Sequence, residues 1–326
     1  MVAASSRWVL LAAGLLLAPV AHATAQRTFV HSAPVGDDAN TAFNCSLSKP
    51  CRSFSAALGL TLAGGEIVVL DSAGYGPVTI TQAVTIVAPA GVYAGITVPA
   101  SGTGVKVQAG ATDTVTLRGL TITTASNQTL GIAFTSGKSL LIDRAVISGF
   151  GKGVAQYGAG NLTVRDSAIS EGVTGIFIAT NLGTGGLAEF TVDRCNIRNM
   201  SGQGISAEEG AIGYVRDTRL AQFHDPGIGG GYYGVAIGVY ALVVAGAATA
   251  VTLDGALMST NDKGVYVDSF NGRTATVRVV RSVASGNGMG FQVEPTSVGA
   301  SFRSLNNSLD DGNTTPSSPR TTLTPY

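Results

Sequence analysis

Charge is scarce in this chain. Only 12% of its 326 residues are Asp, Glu, Lys or Arg, in equal numbers of each sign, and the formal net charge at neutral pH is zero. Such a chain presents no long-range field to a polyanion, so neither nucleic acid nor an anionic membrane surface is an expected partner. Histidine and cysteine number three each, and His31 alone lies near Cys45 and Cys51. A zinc site of four Cys and His ligands therefore has no candidate set. No Ser-His-Asp or Cys-His arrangement and no phosphate-cradling loop can be read.

What is abundant is glycine, 44 residues without a G-X-Y period. Collagen is excluded and a turn-dense β protein is favoured. At the start, Arg7 precedes an apolar run from Trp8 to Val20, then Ala21-His22-Ala23 or Ala23-Thr24-Ala25. The run falls short of the roughly 20 residues of a membrane span and has the form of a secretory signal peptide, expected over residues 1–25 with cleavage near Ala23 or Ala25. The destination expected is secreted or periplasmic. A second uncharged stretch, Pro226 to Leu253, is long enough to cross a bilayer. Its glycines and its Val235, Ile237, Val239 alternation read instead as a strand, so no membrane span is expected after signal cleavage. In an oxidising compartment Cys45 and Cys51, joined by a short polar loop, are expected to form a disulfide.

The main signal is a repeat. VTLRGLTI (115–122), LLIDRAVIS (140–148), LTVRDSAIS (162–170) and FTVDRCNIR (190–198) superpose without gaps, and weaker copies begin near 213, 251, 276 and 302. A small or polar marker residue recurs at Leu120, Ala145, Ser167, Cys195, Thr218, Ala256, Ser282 and Asn307. Apart from one long step after Thr218, the coil is roughly 22 to 28 residues. Cys195, in the marker column, is read as a buried structural thiol. Each repeat carries a second short strand after a glycine: Gly131, Gly153, Gly175, Gly204, Gly234, Gly264 and Gly290. One coil cannot bury its apolar side alone, whereas stacked coils about 4.8 Å apart share hydrogen bonds and a continuous interior. The fold expected is all-β, a right-handed parallel β-helix over residues 67–309. Before it, residues 26–66 form an N-terminal cap in which Ser53 starts a short helix with Phe54, Ala57, Leu58 and Leu62 on one face. After it, residues 310–326, rich in Ser, Thr and Pro, are expected to be a flexible tail.

The segments FVHSAPVGDDAN, PCRSFSAAL and GGEIVVLDSAGYGPVTI, with the L-x-V-x-x-S-x-I repeats, resemble the exported bacterial right-handed β-helix proteins of the pectin-lyase-like superfamily. The resemblance spans about Thr28 to Asn307. It implies the fold strongly and, for function, contact with carbohydrate polymers, since pectate lyases, pectin lyases and polygalacturonases are its best-known members. The Asn-Thr-Asp, Gly-His-Gly and Arg-x-Lys segments of a polygalacturonase-like site do not occur.

Catalysis on such a solenoid needs acids gathered on one outer flank. Two places before the marker, Arg118, Asp143, Arg165, Asp193, Arg216 and Asp254 alternate in sign, as do Arg144, Asp166, Arg194 and Asp217 beside them. These are expected to be cross-coil ion pairs that fix stacking register. Four places after the second-strand glycines stand Thr135, Tyr157, Ala179, Glu208, Gly238, Asp268 and Glu294, where Asp268 and Glu294 neighbour each other without a base. That pair is the candidate calcium site, and no other cofactor is expected. Phe177, Tyr232, Tyr233 and Tyr266 are the candidate sugar-stacking rings, and Glu208, His224, Asp268, Arg273 and Glu294 the candidate catalytic groups. The expectation is an exported scaffold that binds glycan or cell-envelope polymer without catalysis. The alternative is a polysaccharide lyase or glycoside hydrolase. Self-association through the solenoid ends is a further possible partnership.

Overall fold

Alternating apolar and polar residues make strands with one side inward and one outward, and the repeats stack these strands coil on coil. The computed structural model describes residues 25–124, 126, 129–179, 187–227, 233–241, 248–270, 273–304, 308–318 and 321–322. Twelve parallel strands form one sheet, the first face of the solenoid. A second sheet of seventeen strands wraps the other two faces, because Ala168–Ala179 and Asn196–Glu208 run unbroken around the corner between them. The molecule is the right-handed parallel β-helix expected from the repeats.

On the first face Leu117, Ile142, Val164, Val192, Val215, Leu253 and Val279 form one inward column. None is more than 1% exposed. Burying each such side chain stabilises by about 1.5–3 kcal/mol, so this column outweighs any exposed ion pair outside it. Where Phe190 enters the neighbouring column, the next coil has Gly213, and the ring occupies the space a Cβ there would need.

The corner after the first face is turned by residues with positive φ: Gly119, Arg144, Asp166, Arg194, Asp217, Gly255 and Arg281. The marker residue follows each of them. Ser167 Oγ accepts from the Ala145 N–H at 3.0 Å and donates to the Arg165 carbonyl at 2.7 Å. Thr218 serves the Cys195 N–H, and Ser282 the Ala256 N–H, in the same way. The polar members of the marker column thus satisfy backbone groups that the corner would otherwise leave unpaired.

The charge columns align in the expected register. Asp143, 4% exposed, lies between Arg118 at 2.8 Å and Arg165 at 3.2 Å. Higher up, Asp193 meets Arg216 and Asp166 meets Arg194 within their columns, while Asp193 with Arg194 and Asp254 with Arg281 cross between columns.

Both ends depart from expectation. Strand Ala25–Val30 already belongs to the first sheet, so the solenoid does not begin at residue 67. The segment before it lies outside the described residues. Ser53 caps helix Phe54–Leu58, which buries Phe54, Ala57 and Leu58. Leu62 is not on it: the chain turns at Gly59, and Leu62 stands 41% exposed in strand Thr61–Val69. Cys45 and Cys51 are joined, both fully buried, with Cα atoms 4.9 Å apart. At the other end, Leu309–Asp311 pairs with Val283–Ser285, and Thr321–Thr322 with Ala300–Ser304. Between them Ser317 and Ser318 hydroxyls accept from the Phe291 and Val293 N–H groups. The described part of the expected flexible tail is therefore a further coil; Asn307 lies outside the described residues. Small hydroxyl side chains that look like a linker in sequence are here strand-pairing and capping residues.

The uncharged stretch from Pro226 contains strand Val235–Ala241, buried at every position. No helix among the described residues is long and apolar enough to cross a membrane.

Candidate functional site

The third face carries the second strand of each coil. Its inward residues include Ile176, Ile205, Ile237 and Val265, and its outward ones Phe177, Ser206, Gly238 and Tyr266. The alignment corrects the expected register in one coil. Glu208 faces Tyr240, not Gly238, because Ala236 takes the place held by Gly204 in the coil before, and Gly234 is a turn residue at φ +70°. The column after Ala179 therefore reads Glu208, Tyr240, Asp268, followed by Glu294, whose N–H donates to the Val267 carbonyl. Tyr240 had no place in the sequence reading, since in this coil the place that a glycine marks elsewhere is held by Ala236, and Gly234 two residues earlier offers a false marker.

Two groups of side chains emerge on this flank. In the lower group, Lys152 opens strand Lys152–Gln156, Tyr157 follows it, and Phe177 stands one coil above. The Phe177 and Tyr157 ring centroids are 5.7 Å apart with planes tilted by 49°. The Lys152 ammonium sits 3.5 Å from the Phe177 centroid and 5.3 Å from that of Tyr157, and donates to the Tyr157 hydroxyl at 3.4 Å. Glu208, half-buried one coil above Phe177, accepts from Ser206 Oγ at 2.9 Å. Burial pushes its carboxyl above the usual range, and Glu209 adds to this, while the Ser206 hydrogen bond and the charge of Lys152 oppose it. Tyr157 also lines a shallow depression of about 480 Å³ with Thr135, Lys138 and Gly158.

The upper group contains most of the remaining candidates. Tyr266, 2% exposed, donates to Glu294 at 2.6 Å, packs 6.0 Å from the Tyr240 ring and lies under Lys263 at 4.9 Å. It offers no face for a sugar, contrary to expectation, because an outward column does not reveal what covers it. Asp268, 8% exposed, accepts from Ser297 Oγ. The expectation of neighbouring acids without a base is also corrected: Lys263 lies within electrostatic reach of Asp262, Glu294 and Asp225. Burial nevertheless pushes the Lys263 ammonium below its ordinary range. No group of three or more His, Cys, Asp or Glu side chains converges among the described residues. Asp268 and Glu294, the calcium candidates, each have an oxygen engaged by a hydroxyl of the chain.

His224 is exposed, and its Nδ1 lies 3.1 Å from Asp262 of the next coil; the same carboxylate accepts the Asp225 N–H at 2.6 Å. The partner is thus Asp262, not the adjacent Asp225. Arg273 folds back to donate to the Phe270 carbonyl at 3.3 Å. Tyr233 is half-buried on the loop before Val235, and Tyr232 lies outside the described residues. The structure links His224, Asp262, Lys263, Tyr266 and Glu294 into one chain of contacts. Glu208 belongs to the lower group, and Arg273 is shown contacting its own turn.

Residues 93–228 match the family model described as right handed beta helix region. Among solved structures, the chain is similar to the crystal structure of pectate lyase Pel9A, with 14% sequence identity and a TM-score of 0.58 over 91% of this chain and 80% of that one. At that identity the likeness is one of fold. No curated protein matches.

Proposed function

We propose that this pectin-lyase-like right-handed β-helix is an exported scaffold that binds glycan or cell-envelope polymer along its third face without turning it over. The observation that carries this reading is the lower group. Two half-buried rings, a carboxyl and an ammonium cluster on one flank, one of the rings, Tyr157, also lines an open depression, and sugar rings are held by that combination of apolar face and hydrogen-bonding rim. The absence of turnover is supported by the engagement of each candidate acid with a hydroxyl of the chain. A hydrolase needs two carboxylates flanking one bond, about 5 to 9.5 Å apart, and a lyase needs a base beside a cation or basic group that neutralises the carboxylate. Here Glu208 accepts from Ser206, Asp268 from Ser297 and Glu294 from Tyr266.

One observation favours the alternative of a lyase or hydrolase: Glu208 is a carboxyl that burial keeps protonated to higher pH, as a general acid requires. The two readings separate in one experiment. Purified protein is incubated with neutral and uronic-acid polysaccharides, with and without calcium, and retention is measured beside unsaturated products and new reducing ends. Retention on a polymer, lost in Tyr157→Ala, with no product is the expected result. Products that vanish in Glu208→Gln establish the enzyme instead.

A further inference from the structure

The lower group has a feature that a bare stacking platform lacks. Lys152 and Tyr157 come from one strand and its end, Phe177 from the next coil, and together the two tilted rings make a V open on one side. The ammonium fills it. At 3.5 Å from the Phe177 centroid it stands where the C–H face of a stacked sugar ring would have to lie, so the two cannot share that face. Beyond the V stands a second resting place for the same cation: the Glu208 carboxyl, which attracts Lys152 and is held in position by Ser206. Lys152 and Glu208 together carry no net charge when both are ionised, so the vacated V presents apolar rings beside a neutral ion pair. Glu209 adds negative charge nearby, which disfavours an anionic sugar.

Resting on the reading of this flank as a glycan site, we propose that Lys152 is its gate and specificity determinant: the ammonium plugs the Phe177–Tyr157 V, and a neutral glycan enters as Lys152 swings to Glu208. The ligand class is a neutral hexose polymer, recognised by its C–H face on Phe177 and by its hydroxyls at the Tyr157 and Glu208 rim.

The test is titration of the full protein with a neutral β-linked glucose hexasaccharide, followed by calorimetry, for wild type, Lys152→Ala, Glu208→Gln and the double variant. Thermal unfolding of each checks that it is folded. Removing the plug is expected to tighten binding roughly two- to fivefold, the fold-change equivalent of one exposed cation–π contact. Glu208→Gln alone is expected to weaken it, by denying the ammonium its second seat, and to have a smaller effect once Lys152 is gone. Binding that weakens or stays equal in Lys152→Ala, with wild type still bound to the sugar, overturns the gate and leaves the glycan reading standing. Binding by none of the four proteins to this sugar or to any polymer of the panel overturns both.

Discussion

Glu208 and the ladder aspartates respond to pH with opposite sign. Asp166 and Asp254 are held below the usual carboxylate range mainly by hydrogen bonds from Arg194 and Arg281, and Asp71 is lowered by hydrogen bonds from Ser32 and Tyr75 that overcome the cost of its burial. Their contribution is present above the unfolded-state pKa and is lost as pH falls through the folded one. The melting temperature is therefore expected to drop on acidification below about pH 4, and a melting temperature unchanged down to pH 2 would remove the argument. Glu208, raised by burial, works the other way: its penalty grows as pH rises through its folded pKa. Glu208→Gln should accordingly raise the melting temperature at pH 8 and do little at pH 4. Cys195 is 3% exposed and its thiol is pushed up to about 11, chiefly by burial. A thiol reagent at pH 7 should label no cysteine in the native protein and one after denaturation without reductant. The sequence located Cys195 and Asp143 correctly because both sit in columns whose register the repeat dictates. It misplaced Tyr266, since exposure of an outward residue depends on what neighbouring coils lay over it.

At the scale of the element, the turn between the second and third faces holds a ladder that the sequence reading passed over. Asn261, Asn287 and Asn313 stand 26 residues apart, one per coil. Asn287 is 2% exposed; its Oδ1 accepts from both the N–H and the side chain of Asn261, and its Nδ2 donates to Met258 O and to Asn313. The equal spacing was the available signal, hidden because each asparagine lies just past a marker strand in a stretch that reads as ordinary loop. Asn287→Ala would leave buried donors and acceptors unmade at about 1–3 kcal/mol each. The expected result is a melting temperature lower by several degrees, and a change under one degree would show that the ladder contributes little. The same scale explains the error at Gly234, where no glycine marks the strand place held by Ala236 and only its pairing with Asn196–Glu208 selects the register.

For the whole molecule, the coil formed by residues 308–318 and 321–322 covers the apolar interior of the coil before it. Residues 308–318 and 321–322 lie against Phe291, Val293 and Ala300–Ser304, and Phe291 and Phe302 are at most 2% exposed. A protein truncated after Asn307 should expose these rings and an unpaired strand edge, and so elute as larger assemblies in size exclusion. Elution as an unchanged, equally stable monomer would reduce the final coil to an ornament of the fold. The sequence by itself determined the solenoid: coil length, inward columns and alternating charges are local periodicities, and stacking identical units leaves one way to bury them. It also set the disulfide, because a short loop between two cysteines brings them together without help from the rest of the chain. Tertiary structure alone decided which outward side chains meet beyond the charge columns. The Lys152 plug, the burial of Tyr266, the pairing of His224 with Asp262 and the final coil join residues from different coils. Their proximity follows from turn paths and side-chain rotation, which no period in the sequence encodes.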